Sequence, residues 1–175
     1  AFLILYLQGV GSLFPWNAFI TKTDYYALAF RDSDYASSFE SMITTTFTLV
    51  GLVTILGLQR VQDRSSPRVR VVGALSLMLV VFLVIFAFSA APLSVPPEEL
   101  RSYLRTSATP LFAVTVVCVA TAGFAQAVLS GSLFTYATLY GRPTYLQAIS
   151  GGMGVAGLSV SLGSLVTTLP QTAKA

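Results

Sequence analysis

The chain has 175 residues, 54% of them hydrophobic and only 10% charged, with a mean hydropathy of +0.75. An ordinary soluble domain carries about 25% charged residues, so the composition excludes a freely soluble enzyme or binding module. Ten Lys/Arg against seven Asp/Glu give a net charge of +3 with no histidine. The basic residues lie in the loops, which is not a nucleic-acid signature, and His-based triads and His metal sites are ruled out.

Five uncharged runs divide the chain: 1–21, 41–59, 71–97, 106–141 and 143–173. A membrane-spanning helix needs roughly 20 mainly apolar residues. The chain therefore reads as an all-α, polytopic membrane protein with a single transmembrane domain over 1–175. Its spans are expected at about 1–21, 39–59, 70–91, 109–139 and 144–168. The fourth run exceeds what one span needs, which predicts a tilted or protruding helix or an included loop.

The first span combines apolar residues with Pro15, Trp16 and Asn17. Lipid-facing helices have no use for an amide or a helix break. Such residues are tolerated at membrane depth where protein or a water-filled cavity surrounds them. Leu13, Trp16, Asn17 and Ile20 fall at i, i+3, i+4 and i+7 and share one helical face. Trp offers a stacking surface and an N–H donor, and Asn offers both donor and acceptor. Such a face suits a planar, hydrogen-bonding solute. Interhelical hydrogen bonding by Asn17 and interfacial anchoring by Trp16 fit equally. Pro15 removes a backbone bond and is expected to kink the helix.

The following loop is mixed in charge, with Lys22, Asp24, Arg31, Asp32, Asp34 and Glu40, and it holds Tyr25, Tyr26 and Tyr35, residue types favoured at membrane interfaces. The second span carries Thr44, Thr45, Thr46 and Thr48. Threonine hydroxyls can bond their own helix backbone, which makes them inexpensive in a membrane. Ile43 and Thr46 share a face and are candidate cavity-lining residues.

Arg60, Arg64, Arg68 and Arg70 crowd the next short loop against one acid, Asp63. Loops rich in Lys/Arg stay cytoplasmic, which places the N-terminus in the cytoplasm and the first and third loops outside or in a lumen. Pro92, Pro96 and Pro97 mark a loop after the third span. Thr109-Pro110 then reads as an N-cap followed by proline at the first helical position.

In the fourth span Gly123, Ala127 and Gly131 form a small-residue stripe that permits close helix contact. Gln126 and Ser130 stand one turn apart on an adjoining face and could hydrogen-bond a solute or a neighbouring helix. Cys118 is the single cysteine, so no intramolecular disulfide forms, and it is expected to be a small buried apolar residue. A tight turn at Gly141-Arg142-Pro143 leads to the fifth span. There Gly151, Gly152, Gly154 and Gly157 suit close packing. The Gly152-x-Gly154-x-x-Gly157 spacing is no dinucleotide site, because no strand precedes it.

No catalytic or metal-binding constellation emerges, because all seven carboxylates lie in or beside loops. Neither a cofactor nor enzymatic activity is expected. A proton-coupled pump usually has an ionisable group at membrane depth, so passive transport is the expectation. The run starts abruptly in apolar sequence, lacks a signal-peptide pattern and has an odd number of spans. A fragment of a longer protein is therefore expected.

With these residues in place, the chain resembles the N-terminal half of the equilibrative nucleoside transporter family. The likeness rests on Gly11-x-Leu13-x-Pro15-Trp16-Asn17-x-Phe19-Ile20-Thr21, on Gly131-Ser132-Leu133-Phe134, and on Gln147-Ala148 followed by Gly152-x-Gly154-x-Ala156-Gly157. It covers nearly the whole chain. The resemblance implies a major-facilitator-like fold of eleven helices, of which these five make most of the first bundle, and alternating-access transport of purine or pyrimidine nucleosides down their gradient. It implies that Leu13, Trp16 and Ile20 line the nucleoside cavity. Ser130 falls where some members carry a Gln that contacts substrate, and Gln126 where a Gly is common. Gly152 and Gly157 match glycines with packing and conformational roles. The implied partners are a nucleoside, the lipid bilayer and a C-terminal bundle that lies beyond this sequence. Plasma, vacuolar and lysosomal membranes fit alike. Two other readings fit the residues: half of a transporter for another small solute, and an accessory or nonfunctional truncated membrane protein.

Overall fold

The computed structural model describes residues 1–21, 26, 30, 35, 37–61, 65–90 and 96–172, with the backbone alone at 14, 15, 18–21, 61, 89, 90, 97–101, 104, 105, 164 and 167–172. Among the described residues the regular structure is all helical: α1 (Phe2–Thr21), α2 (Phe39–Val61), α3 (Pro67–Ala90), α4 (Pro97–Leu139) and α5 (Pro143–Thr172). Four stretches are long and apolar enough to cross a membrane, namely Phe39–Arg60, Pro67–Phe88, Thr106–Leu139 and Pro143–Gly163, and Phe2–Leu13 is a shorter apolar helical stretch. Large apolar side chains such as Leu52, Val69, Phe86, Val117 and Leu158 are exposed on them. In water such a surface would drive aggregation, whereas in a bilayer it is the expected lipid face.

One feature departs from the sequence reading. Residue 109 does not cap a helix: α4 starts at Pro97 and runs 43 residues with Pro110 inside it. Thr109-Pro110 is a local start signal, but the preceding segment supplies a better one. Pro97 occupies the first turn, where its missing N–H costs nothing, and Glu98 and Glu99 fall where the helix dipole favours acids. At 1.5 Å per residue α4 is about 64 Å long, roughly twice a hydrocarbon core. The proline leaves only the Thr106 carbonyl without its usual donor. The first helix, α1, is continuous through residue 15.

The chain divides into two compact units, Ala1–Lys22 with Leu129–Ala175, and Thr23–Val128. In the first, α1 packs on α5. A Cβ on Gly152 would collide with the Tyr6 carbonyl oxygen and lie 2.9 Å from the Val10 nitrogen, and a Cβ on Gly9 would collide with the Ile149 carbonyl oxygen. Both positions need glycine because backbone lies against backbone. The α4–α5 connection is the predicted tight turn: Gly141 has φ +60° and its N–H donates to the Thr138 carbonyl at 3.0 Å. Beside it the Tyr136 and Tyr140 hydroxyls are hydrogen-bonded at 2.9 Å, and this bond raises the Tyr140 pKa above the ordinary phenol value.

In the second unit α2 and α4 come together where Gly123 meets Phe47, whose carbonyl oxygen would be 2.9 Å from an added Cβ. Cys118 is buried, as expected. An aromatic cluster closes one end. Tyr35 stacks on Phe112 with centroids 4.2 Å apart, and Phe30 sits edge-on to Phe112 at 5.8 Å and tilted against Phe39 at 5.5 Å. Tyr26 stacks on Phe30. Tyr26 and Tyr35 are partners in this cluster, and Tyr25 lies outside the described residues. Phe30 is fully buried. Phe30→Ala is therefore expected to cost about 3–5 kcal/mol, read as a lower unfolding midpoint in detergent.

Candidate functional site

The hydrogen-bonding groups of α1 sit on its inner side. Leu13, Trp16 and Asn17 are half-buried. Asn17 donates from Nδ2 to the Leu13 carbonyl at 3.2 Å. The same Nδ2 lies 3.9 Å from where a Cβ would stand on Gly157. That is an ordinary contact distance, so an alanine at residue 157 would also fit beside the amide. Ser12 is fully buried, with Oγ donating to the Gly9 carbonyl at 2.8 Å. The side chains of Pro15 and Ile20 lie outside the described residues.

On α4, Gln126 and Ser130 are both half-buried. Ser130 differs from the surrounding hydroxyls. Thr115, Thr121 and Thr135 each return their proton to the carbonyl four residues back, at 2.7–2.8 Å. The Ser130 Oγ is buried without a hydrogen-bond partner, and among the described residues only Arg70 shares that condition. Leaving a buried donor unsatisfied costs about 1–3 kcal/mol, which sets this hydroxyl apart from its neighbours. On α2, Ile43 is buried and Thr46 half-buried. Thr54 uses the back-bonding expected of threonine, to Val50 at 2.7 Å.

The glycines separate by role. Gly123, Gly152 and Gly157 stand at contacts, and Gly131 is half-buried, its carbonyl accepting from Thr135. Gly154 is exposed, and an added Cβ would meet nothing within 4 Å. Among the described residues no neighbour packs against it. The reason is phase: residues 149, 152 and 156 form the buried stripe of α5, and residue 154 is turned about 200° from 152. Sequence reasoning missed Gly9 and Ser12. Their signal is a small-residue pair at i, i+3, which the neighbouring Trp-Asn motif overshadowed. It also counted Arg70 as a loop charge, whereas the residue lies in the first turn of α3 and is 8% exposed.

Among the described residues no group of His, Cys, Asp or Glu could hold a metal ion.

No protein-family profile matches the chain. It is similar over 98% of its length to equilibrative nucleotide transporter 8 of Arabidopsis thaliana, at 29% identity. Over 95% it is similar to equilibrative nucleoside transporter 3 of Rattus norvegicus, at 25% identity, and over 91% to equilibrative nucleoside transporter 1 of Homo sapiens, at 24%. The chain spans 41%, 35% and 38% of those three relatives.

Proposed function

We propose that this homologue of the equilibrative nucleoside and nucleotide transporters forms most of the first helical bundle of a facilitated-diffusion nucleoside transporter. The observation that carries the reading is similarity along nearly the whole chain to proteins of that one transporter type. The four long apolar helices make it a multi-pass membrane protein, and α1 is the fifth span. In this reading the fold is major-facilitator-like and works by alternating access. Arg60, Arg64, Arg68 and Arg70 hold their loop in the cytoplasm, which also places the N-terminus there.

Substrate chemistry follows from the groups at hand. A nucleoside carries a planar base and a hydroxylated sugar without charge. Trp16 stacks or packs against the base, Leu13 and Ile20 shape the wall, and Asn17, Gln126 and Ser130 bond the polar edges. Ile43 and Thr46 complete the lining from α2. A second bundle, supplied by sequence outside this chain, closes the other side, and the α1–α5 glycine contacts let one bundle rock against the other.

The test is uptake of radiolabelled adenosine and uridine by nucleoside-transport-deficient cells expressing this chain joined to its native downstream sequence. Saturable uptake, inhibited by unlabelled nucleosides and independent of a proton gradient, is expected. Surface expression without uptake of either nucleoside would move the assignment to another solute. Uptake by the 175-residue chain alone would overturn the two-bundle picture.

A further inference from the structure

The Arg70 guanidinium is the one charged group among the described residues that is buried without a partner: the side chain is 8% exposed, and neither Nε nor Nη1 has a hydrogen bond. An unpaired buried charge is strongly unfavourable. Its position on α3 indicates what meets it. Residues 70, 77, 81 and 84 stand at i, i+7, i+11 and i+14, one stripe of the helix. The upper three, Leu77, Val81 and Val84, form one wall of an open-sided groove of about 370 Å³ between α3 and α4, and Val114, Val117 and Thr121 stand on the other. Both walls belong to the Thr23–Val128 unit.

The groove offers no polar recognition. Its lining is almost wholly aliphatic, and the Thr121 hydroxyl is already spent on the Val117 carbonyl at 2.7 Å. Val80 and Val117 open it to the surroundings, at 54% and 64% exposure. Both walls lie within stretches able to span a membrane, so the surrounding medium is hydrocarbon. Arg70 lies about 10 Å nearer the arginine-rich loop than Leu77, at 1.5 Å per residue. Arg70 is not itself in the groove lining but precedes it by two turns on the same stripe of α3, and a cation so placed beside an apolar furrow is complementary in charge and shape to an anionic amphiphile. A nucleotide or free phosphate would satisfy the cation and leave the furrow unused.

We propose that α3 and α4 form a site for one anionic phospholipid, its phosphate on Arg70 and one acyl chain in the groove lined by Leu77, Val81, Val84 and Val117. The lipid comes from the leaflet facing the arginine-rich loop, where exposed Arg60 and Arg68 raise the local concentration of anionic headgroups. The long Arg70 side chain lets its head swing toward the interface to receive the phosphate. The site is independent of the nucleoside reading and holds whatever solute is carried.

The test uses the full-length protein in nanodiscs of phosphatidylcholine doped with phosphatidylglycerol carrying a diazirine on the acyl chain. The control is phosphatidylcholine bearing the same label, and adducts are mapped by peptide mass spectrometry. Labelling of residues 77–84 and 113–121 is expected to be about fivefold higher with phosphatidylglycerol, the preference one added cation contributes near a membrane surface. Arg70→Gln should reduce it to the phosphatidylcholine level and Arg70→Lys should keep most of it. Val117→Trp should block the groove and abolish labelling there. Equal labelling by the two lipids in the unsubstituted protein overturns the proposal without reference to any variant. Displacement of the labelled lipid by inorganic phosphate or adenosine monophosphate also overturns it, in favour of a soluble-anion site.

Discussion

Gly152→Leu is expected to remove the folded protein almost completely, whereas Gly154→Leu, two residues away, leaves it near normal. The difference lies in what a side chain would meet. At residue 152 the first carbon already collides with the Tyr6 carbonyl and crowds the Val10 nitrogen. Both are backbone atoms of α1, so no rotamer change relieves them. Overpacking a core that can yield costs about 1–3 kcal/mol, and a helix backbone yields less than a side chain does. The α1–α5 contact would have to open, which also costs the facing approach of Gly9 to Ile149. At residue 154 nothing lies within 4 Å. Gly151 is intermediate, since its added Cβ would sit 3.6 Å from the Tyr6 ring, an ordinary contact. Fluorescence-detected size-exclusion and thermal unfolding in detergent would rank the three leucine variants, with 152 far below 151 and 151 slightly below 154. Equal behaviour of 152 and 154 would remove the close α1–α5 crossing.

That ranking marks where sequence stops informing. Uncharged runs announced the helices because the bilayer criterion is a matter of length and composition, and the Gly141 turn was legible because proline and glycine leave few conformations. A glycine cluster says only that some face can pack closely. Which glycine is used depends on the rotational phase of α5 against α1, and phase is a tertiary property. Pro110 failed as a boundary for a related reason. A capping signal describes one turn, while helix extent is decided by everything upstream, here Pro97 and the acidic turn after it. Arg70 was hidden because a charge three residues past a proline reads as solvated loop. Only the buried Ala74, Met78 and Val81 on the following turns show that its face is an inner one. Of the candidate site, residue types and helical faces could be read. The bare Ser130 hydroxyl could not, since nothing in the sequence distinguishes it from the threonines that bond their own backbone.

In the completed transporter Trp16→Ala is expected to lower nucleoside uptake while membrane insertion and surface expression stay unchanged. Trp16 is half-buried in α1 beside Asn17, so truncation removes a ring without emptying a fully packed core. Base–aromatic stacking contributes about 1–3 kcal/mol per base. At 1.4 kcal/mol per tenfold, the substrate concentration for half-maximal uptake should rise between about fivefold and 150-fold. Trp16→Phe retains a π-face and loses the indole N–H donor, so it separates stacking from hydrogen bonding. Near-normal uptake would assign Trp16 a stacking role, and loss as deep as in the alanine variant would assign the N–H. Asn17→Ala supplies the comparison on the same face. If Asn17 serves the solute, its loss raises the half-maximal concentration at constant thermal stability. If it serves the α1–α5 contact beside Gly157, stability falls instead. Unchanged uptake kinetics in Trp16→Ala, with normal surface expression, would take the α1 face out of the solute path and leave Ser130 and Gln126 on α4 to carry it.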